Sequence, residues 1–199
     1  MPRTADTIRD FRREQIVRAA RALVAEGGLS ALTYANLEAR LSFTRGVITH
    51  HFRNKRDIVQ SVLRSALAEI DSATITAVTA EDDPEARIRL TLQTMVSGFL
   101  SHRESTRVLL SYMSEVPHNA ELTAFTAGLY DRWRRWCAMV LRDGVSRGVF
   151  IEHDSEAMAA VIVGQVIGAV IQKVLAPDAI DAEAVIEAGA GAILAVLRR

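Results

Sequence analysis

The sequence predicts an all-α protein in which a small N-terminal head precedes a larger helical body. Apolar residues recur at a spacing of three and four over most of the chain, which is the period of an amphipathic helix. No segment shows sustained alternation of apolar and polar residues with strand-forming content. Only 4 Pro and 11 Gly are spread over 199 residues, a composition that permits long helices. We therefore expect about nine helices: three in the head, a long fourth helix, and a C-terminal bundle.

The first helix is predicted over residues 8–26. Its apolar residues have helical spacing: Ile16, Ala20, Leu23 and Val24. The pair Gly27-Gly28 supplies the left-handed backbone that commonly ends a helix.

Two short helices are predicted next, over residues 34–41 and 45–51. Thr33 and Thr44 are the expected N-caps. The residues expected to point inward are spaced four apart: Leu37 with Leu41, and Ile48 with Phe52. Two short helices joined by a turn of about three residues match the helix-turn-helix plan, whose second helix enters the major groove of DNA.

The fourth helix is predicted to begin at an Asn54 cap, with Asp57 completing a capping-box-like start, and to reach about Thr79. The segment 81–84, EDDP, is the clearest break in the chain, with proline at the first position of the next helix. The remaining helices are expected over residues 85–101, 104–115, 119–147, 155–175 and 181–197. We place the domain boundary between residues 54 and 55, giving domains over 1–54 and 55–199.

The head and the body of the chain also differ in net charge. Residues 1–60 contain 11 Lys or Arg against 6 Asp or Glu, whereas residues 61–199 contain 13 against 18. A basic head on an acidic body fits a polyanionic partner for the head alone. Chance scatter of solvated charges is the alternative explanation.

Several other classes of function and location find no support in the sequence. The chain has no Gly-rich phosphate loop, nucleophile elbow or HExxH pattern, so we expect neither an enzyme nor a cofactor. The adjacent His50 and His51 have no Cys, Asp or Glu three or four residues away, so no metal site is expected. The single Cys137 and the polar N-terminus fit a cytoplasmic protein. The apolar stretch 158–175 contains Gln165, Gln172 and Lys173, which favours a packed helix over a membrane span.

The stretch 41–55, LSFTRGVITHHFRNK, resembles the N-terminal domain of the TetR family of transcriptional repressors. That family shows a pattern like AGVSxGxxYxHF followed by a short basic segment. The retained positions are taken to be Gly46, His50 and Phe52, with Thr44 in place of the usual Ser cap. Three departures are a Ser42 where the turn usually has Gly, a Phe43 in place of a smaller apolar residue, and a Thr49 in place of a Tyr that contacts phosphate.

A narrower resemblance points to one branch of this family. The segment GVITHHF looks similar to the branch containing the betaine-responsive regulator of choline metabolism, and residues 130–150, YDRWRRWCAMVLRDGVSRGVF, resemble that branch's C-terminal domain more weakly. The resemblance implies double-stranded DNA, a small-molecule effector and a second copy of the chain as partners. Residues 1–54 would then bind DNA, and residues 55–199 would bind the effector and dimerise.

The resemblance and the side-chain chemistry together give the expected DNA contacts. Arg45 can form a bidentate pair with guanine, Val47 can meet a thymine methyl group, and Gly46 permits close approach. For His50 a packed, hydrogen-bonded histidine is the favoured alternative, although a helical wheel anchored on Ile48 and Phe52 points it outward. The full set is Thr33, Tyr34, Thr44, Arg45, Gly46, Val47, Thr49, His50, His51 and Lys55.

An effector site is expected among the aromatic residues of the body, where aromatic faces could hold a quaternary ammonium group. The candidates are Phe99, Tyr112, Phe125, Tyr130, Trp133, Trp136 and Gln165, with Glu115 and Asp131 as further polar partners. Because Trp133 and Trp136 are three apart, they share a helix face, and plain core packing is the alternative for this stripe.

The last two helices are rich in small residues, which allow close approach of helices. A homodimer interface is therefore expected there, as a four-helix bundle about a two-fold axis, with packing inside one subunit as the alternative. The candidates are Met158, Val161, Gly164, Gly168, Ile171, Gly189, Ile193 and Val196. The sequence thus predicts a dimeric, ligand-responsive repressor of a near-palindromic operator. A helical ligand-binding or adaptor protein without sequence-specific DNA binding is the alternative.

Overall fold

The computed structural model describes residues 4–71, 78, 80–113 and 116–198, and within them the chain forms nine α-helices and no strand. The helices are α1 Thr4–Gly27, α2 Tyr34–Leu41, α3 Arg45–His51, α4 Lys55–Asp71, α5 Pro84–Ser101, α6 Arg103–Tyr112, α7 Ala120–Ser146, α8 Ser155–Leu175 and α9 Ala182–Leu197. Short 3₁₀ segments occupy Leu29–Ala31 and Val116–His118. The predicted all-α class is confirmed. The helix end expected near Thr79 and the candidate Glu115 lie outside the described residues.

The chain divides into two compact units. The first consists of Met1–Glu69 with His102–Leu122, and the second of Ile70–Ser101 with Thr123–Arg199. The first unit therefore contains the whole head, most of α4, and α6. A functional boundary between residues 54 and 55 stays a prediction.

The first unit packs α2, α3 and α6 against α1. The predicted inward-facing residues supply much of its core, which contains Ile16, Ala20, Val24, Leu37, Ile48, Phe52, Ile58 and Val62. The helix α4 begins as predicted. The Asn54 side chain accepts a hydrogen bond from the Asp57 N–H (2.9 Å), and the Asp57 carboxylate accepts one from the Arg53 N–H (3.1 Å). These bonds satisfy N–H groups that the first helical turn leaves without partners.

The second unit packs α5, α8 and α9 against one another. Asp154 and Asp181 cap α8 and α9, each accepting hydrogen bonds from two backbone N–H groups of the first turn. The turn between these helices is closed by Lys173, whose ammonium group donates to the carbonyl oxygens of Pro177 (2.6 Å) and Ile180 (2.9 Å). The turn therefore fixes how α9 returns along α8.

Candidate DNA interface and effector site

The turn between α2 and α3 has the geometry of a helix-turn-helix. Thr33 caps α2, because its hydroxyl accepts a hydrogen bond from the Asn36 N–H at 3.1 Å. Ser42 ends α2 in the left-handed conformation, with φ of 54°, and it is the one non-glycine residue with positive φ in the described part of the chain. For a residue other than glycine this conformation costs about 1–2 kcal/mol. The turn therefore keeps the backbone shape that the usual glycine would give.

The helix α3 is anchored by Ile48 and Phe52, both buried as predicted. Thr44 occupies the N-cap position, but its side chain makes no capping hydrogen bond, so the hydroxyl is free to meet a ligand. The residues predicted to contact DNA are all exposed or half-buried: Thr33, Tyr34, Thr44, Arg45, Gly46, Val47, Thr49, His50, His51 and Lys55. The exposed face of α3 therefore carries the side chains that a major groove would meet.

Arg45 lies against the ring of Tyr34, with its guanidinium carbon 4.6 Å from the ring centroid. This cation–π contact ties the N-terminal end of α3 to the first turn of α2 and limits the orientations of Arg45. The Thr49 hydroxyl donates to the Arg45 carbonyl (3.0 Å) within α3. A Tyr at position 49 would extend much further from the helix than this threonine, whose hydroxyl is held against the backbone of α3.

The burial of the two adjacent histidines of α3 differs from the expected burial. His50, expected to be packed, is exposed, whereas His51 is half-buried and its Nδ1 is buried without a partner among the described residues. Burial lowers the pKa of His51, and the nearby charges of His50 and of the arginines at 9, 12 and 13 lower it further. The exposure of His50 agrees with the helical wheel on Ile48 and Phe52. The histidine of the family pattern directly precedes the phenylalanine, so it falls on His51 and not on His50.

Arg13 is a positioning residue that the sequence patterns did not indicate. Its guanidinium lies 4.2 Å above the Phe52 ring and donates to the His51 carbonyl (3.0 Å) and to the Ser61 hydroxyl (2.9 Å). The His51 carbonyl belongs to the last turn of α3, where carbonyl groups have no helical partner and the helix dipole is negative. One side chain of α1 therefore fixes the C-terminal end of α3 to α4. Its only sequence signal is its position one turn before Ile16.

Basic side chains of the head fall into two groups. Two form ion pairs: Arg21 with Glu69 and Glu104, and Arg40 with Glu26. The others in residues 8–55 have no ion pair among the described residues: Arg9, Arg12, Arg13, Arg18, Arg45, Arg53 and Lys55. Except for Arg18, these unpaired cations belong to α3, to the residues directly after it, or to the part of α1 that acts on His51. Positive charge without a protein counter-ion is thus concentrated around α3.

In the second unit, three of the predicted effector residues form one aromatic cluster. Trp133 stands edge-to-face with Phe99 (ring centroids 5.7 Å apart) and with Tyr130 (5.5 Å). The neighbouring Trp136 has a buried indole N–H without a hydrogen-bond partner among the described residues. A buried donor of this kind costs free energy unless a ligand or water accepts its hydrogen bond. The cluster is therefore the candidate effector site.

The remaining effector candidates are not among the ring contacts of this cluster in the described residues. Tyr112 is buried in the first unit, Phe125 is half-buried in the second, and Asp131 pairs with Arg134 and Arg135 on α7. Gln165 packs on the backbone of α9: a Cβ at Gly189 would lie 1.2 Å from its amide nitrogen. The Gly189–Gln165 contact is thus packing inside one subunit, and Gln165 is not placed with the aromatic cluster.

The candidate dimer residues are divided between surface and core. Val161, Gly164 and Val196 are exposed, Met158, Gly168 and Ile171 are half-buried, and Ile193 is buried inside the subunit. A Cβ at Gly164, Gly168 or Gly191 would meet nothing within 4 Å in the described residues. The described part of the subunit would therefore leave room for a side chain at these glycines, in contrast to Gly189.

Comparisons with known proteins agree with this arrangement. Residues 16–62 match the model of bacterial regulatory proteins of the TetR family, and residues 84–198 match the model of the C-terminal domain of BetI-type transcriptional repressors. The chain belongs to the TetR family. The predicted family is confirmed, and the C-terminal match agrees with the resemblance noted for residues 130–150.

Curated TetR relatives are similar over part of the chain. The regulator BetI of Burkholderia ambifaria is 26% identical over 116 residues, which cover 58% of this chain and 60% of BetI. BetI of Burkholderia lata is 31% identical over 83 residues, which cover 41% of this chain and 43% of BetI. The chain thus aligns with about 60% or less of the length of these relatives.

Solved structures extend the likeness to nearly the whole chain. A regulator from Saccharomonospora viridis in complex with choline superposes with a TM-score of 0.82 at 21% identity, covering 94% of this chain and 97% of that one. The TetR regulator PfmR of Thermus thermophilus superposes with a TM-score of 0.72 at 25% identity, covering 92% and 99%. The TetR fold is therefore shared along both units.

Proposed function

We propose that this protein is a ligand-responsive transcriptional repressor that binds a near-palindromic DNA operator as a homodimer. The observation that supports this most directly is the surface of α3, where Arg45, Thr49 and His50 are exposed and uncompensated cations surround the helix. Base-edge contacts supply sequence choice, and phosphate contacts supply most of the affinity. Such a protein acts in the cytoplasm, where the DNA is.

Dimerisation is supported by the outer faces of α8 and α9. Along α8 the positions Val161, Gly164 and Gly168 form one stripe at helical spacing, and Val196 lies on the exposed face of α9. By length and composition α8 could cross a membrane, and only 33% of its most apolar part is buried inside the chain. Most of this apolar surface is therefore uncovered in the single subunit. A second copy would cover this surface and use the open space above the glycines. Two copies about a two-fold axis would place two heads on successive major grooves.

A cationic effector is supported by the aromatic cluster of the second unit. The rings of Phe99 and Tyr130 each lie within 6 Å of the Trp133 ring, and aromatic rings grouped in this way attract a quaternary ammonium group. A structural neighbour was solved in complex with choline. We infer that choline or a compound with the same trimethylammonium group is the effector, and that it shifts the protein away from the DNA-binding state.

The DNA assignment is tested by selecting double-stranded DNA from a random pool and then replacing Arg45 by alanine. The variant should bind the selected site about 1–3 kcal/mol more weakly and lose discrimination at one base pair, because a bidentate base contact is removed. Affinity for the site and for its single-base variants is measured by fluorescence anisotropy.

The matched control is Arg40→Ala, which removes an exposed arginine of α2 that is paired with Glu26. It should leave the base preferences unchanged. If Arg45→Ala keeps full discrimination, α3 does not read the DNA through Arg45. If the folded dimer selects no sequence at all, the adaptor alternative replaces the repressor.

The effector assignment is tested by adding choline to the DNA complex. Choline should release the DNA, and Trp133→Leu should raise the choline concentration required by roughly tenfold, since a desolvated cation–π contact contributes about 1–2 kcal/mol. The uncharged carbon isostere dimethylbutanol, which has the same shape without the positive charge, should have little effect. Equal release by both compounds would contradict cation–π recognition, and release of the Trp133→Leu complex at the wild-type concentration would place the effector elsewhere.

A further inference from the structure

In the N-terminal half of α1, basic side chains occupy the face that packs into the core further along the helix. The buried stripe of α1 runs through Ile16, Ala20 and Val24. Two helical turns before Ile16, at a spacing of seven residues, the same face carries Arg9, and the adjacent positions carry Arg12 and Arg13. These side chains are exposed, because the core ends at Ile16. The face of α1 that is apolar and buried from Ile16 onward is thus positively charged in the turns before Ile16.

This basic face lies beside α3. Arg12 stacks 4.7 Å above the ring of Phe43, in the turn that leads into α3, and Arg13 donates to the carbonyl of His51 at its other end. Arg9 is close enough for its charge to act on His51. The N-terminal half of α1 therefore brings the guanidinium groups of Arg9 and Arg12 to the surroundings of α3.

No acidic side chain among the described residues forms an ion pair with Arg9 or Arg12. The acids of α1 nearest to these arginines in the described part of the helix, Asp10 and Glu14, line a groove of about 610 Å³ that is shared with Arg18 and with residues of α4. Like charges concentrated on one surface repel each other and favour a polyanionic partner. The arrangement differs from that of Arg21 and Arg40, whose charges are paired.

We propose that Arg9 and Arg12 bind backbone phosphates of DNA beside the site read by α3, so that α1 is a second DNA-contacting element. The proposal rests on the repressor function proposed above and adds a contact outside the helix-turn-helix. The ligand is the phosphodiester backbone, so the contact adds affinity without adding sequence preference. Arg13 is not part of it, because its donors are directed at His51 and Ser61.

The test measures how operator affinity depends on salt. Each phosphate contact contributes about 0.9 to the slope of log affinity against log salt concentration, because its counter-ion is released on binding. Arg9→Gln removes two contacts from a dimer, so its slope should be shallower by about 1.8, and at 0.15 M salt its affinity should fall by roughly tenfold or more. Arg12→Gln should act in the same way. Discrimination between the operator and its single-base variants should not change.

The matched control is Arg18→Gln, which removes the same charge from an exposed position of α1 in the groove facing α4. It should leave the slope within error of wild type. Thermal unfolding is measured for each variant, and Arg9→Gln gives the cleaner result, since Arg12 also contacts Phe43.

The outcomes separate this proposal from the repressor function. If wild type binds a selected operator and Arg9→Gln keeps the wild-type slope, the α1 contact is wrong while the repressor stands. An equal loss in Arg18→Gln would mean that net charge alone matters, which also overturns the local contact. If no DNA sequence is selected by the wild type, both proposals fail together.

Discussion

A lysine in place of Val161 is expected to convert the proposed dimer into folded monomers and to lower operator affinity by more than about a hundredfold. Val161 is 56% exposed in the single subunit, so the substitution leaves the subunit core intact. In a two-fold interface the change occurs once in each subunit, so two lysines would be buried without partners. An unpaired buried charge costs several kcal/mol, which exceeds what a small apolar interface can offset.

The loss of DNA affinity follows from the loss of the dimer. A dimer binds its second half-site as an intramolecular step, which raises affinity by about 10²–10⁴ over that of a single head. The monomeric variant should therefore keep weak binding to an isolated half-site and gain almost nothing from the second one. Analytical ultracentrifugation gives the mass, and titration of half-site and full-site DNA gives the two affinities.

Met139→Lys is the matched control, because Met139 is another exposed apolar residue of the same unit, 43% exposed on α7. It should remain a dimer with wild-type affinity. A Val161→Lys protein that is still dimeric would show that copies associate through a different surface. A wild-type protein that partitions into membranes would instead mean that lipid covers α8.

The parts of the fold that could be predicted are those encoded by neighbouring residues. The caps Thr33 and Asn54 lie where the sequence placed them, because each capping hydrogen bond joins residues only three apart. The helix-turn-helix and its inward residues Ile48 and Phe52 follow from the same local spacing. Membership of the TetR family was predictable for this reason, since its pattern lies within one short stretch.

The parts that could not be predicted depend on contacts between distant segments. Arg13 acts on His51, 38 residues away, and no spacing rule connects them. Gly189 was expected at the dimer interface, but it accommodates Gln165 of α8, because a small residue that permits close approach does not say which helix approaches.

At the end of α7, a packing contact requires one particular amino acid in the sequence. Gly148 has a φ of 71°, which turns the chain back towards the helix. The N–H groups of Val149 and Phe150 then both donate to the Gly144 carbonyl, at 3.0 and 3.1 Å. The ring of Phe150 is brought over Gly144, where a Cβ would lie 2.1 Å from a ring carbon. Glycine is required at 144 because the buried ring occupies the space of a side chain.

Gly144→Ala should consequently destabilise the second unit by about 2–3 kcal/mol, because overpacking a filled core displaces a side chain that has no free space. Phe150 is almost fully buried, so its ring cannot move into solvent cheaply. The matched control is Gly128→Ala, a change in the same helix where a Cβ would meet nothing within 4 Å in the described residues. There alanine should stabilise α7 by up to about 1 kcal/mol, because it favours the helix more than glycine does. Urea unfolding measures both.

The two substitutions are expected to change the free energy of unfolding in opposite directions. Comparing them therefore separates the effect of packing from that of helix propensity. In a Gly144→Ala background, Phe150→Leu should destabilise less than it does alone, because the smaller side chain leaves room for the new methyl group. A double-mutant cycle should therefore give a favourable coupling of about 1 kcal/mol or more between positions 144 and 150. Additive effects, or a Gly144→Ala protein as stable as Gly128→Ala, would mean that the Phe150 ring does not lie on Gly144.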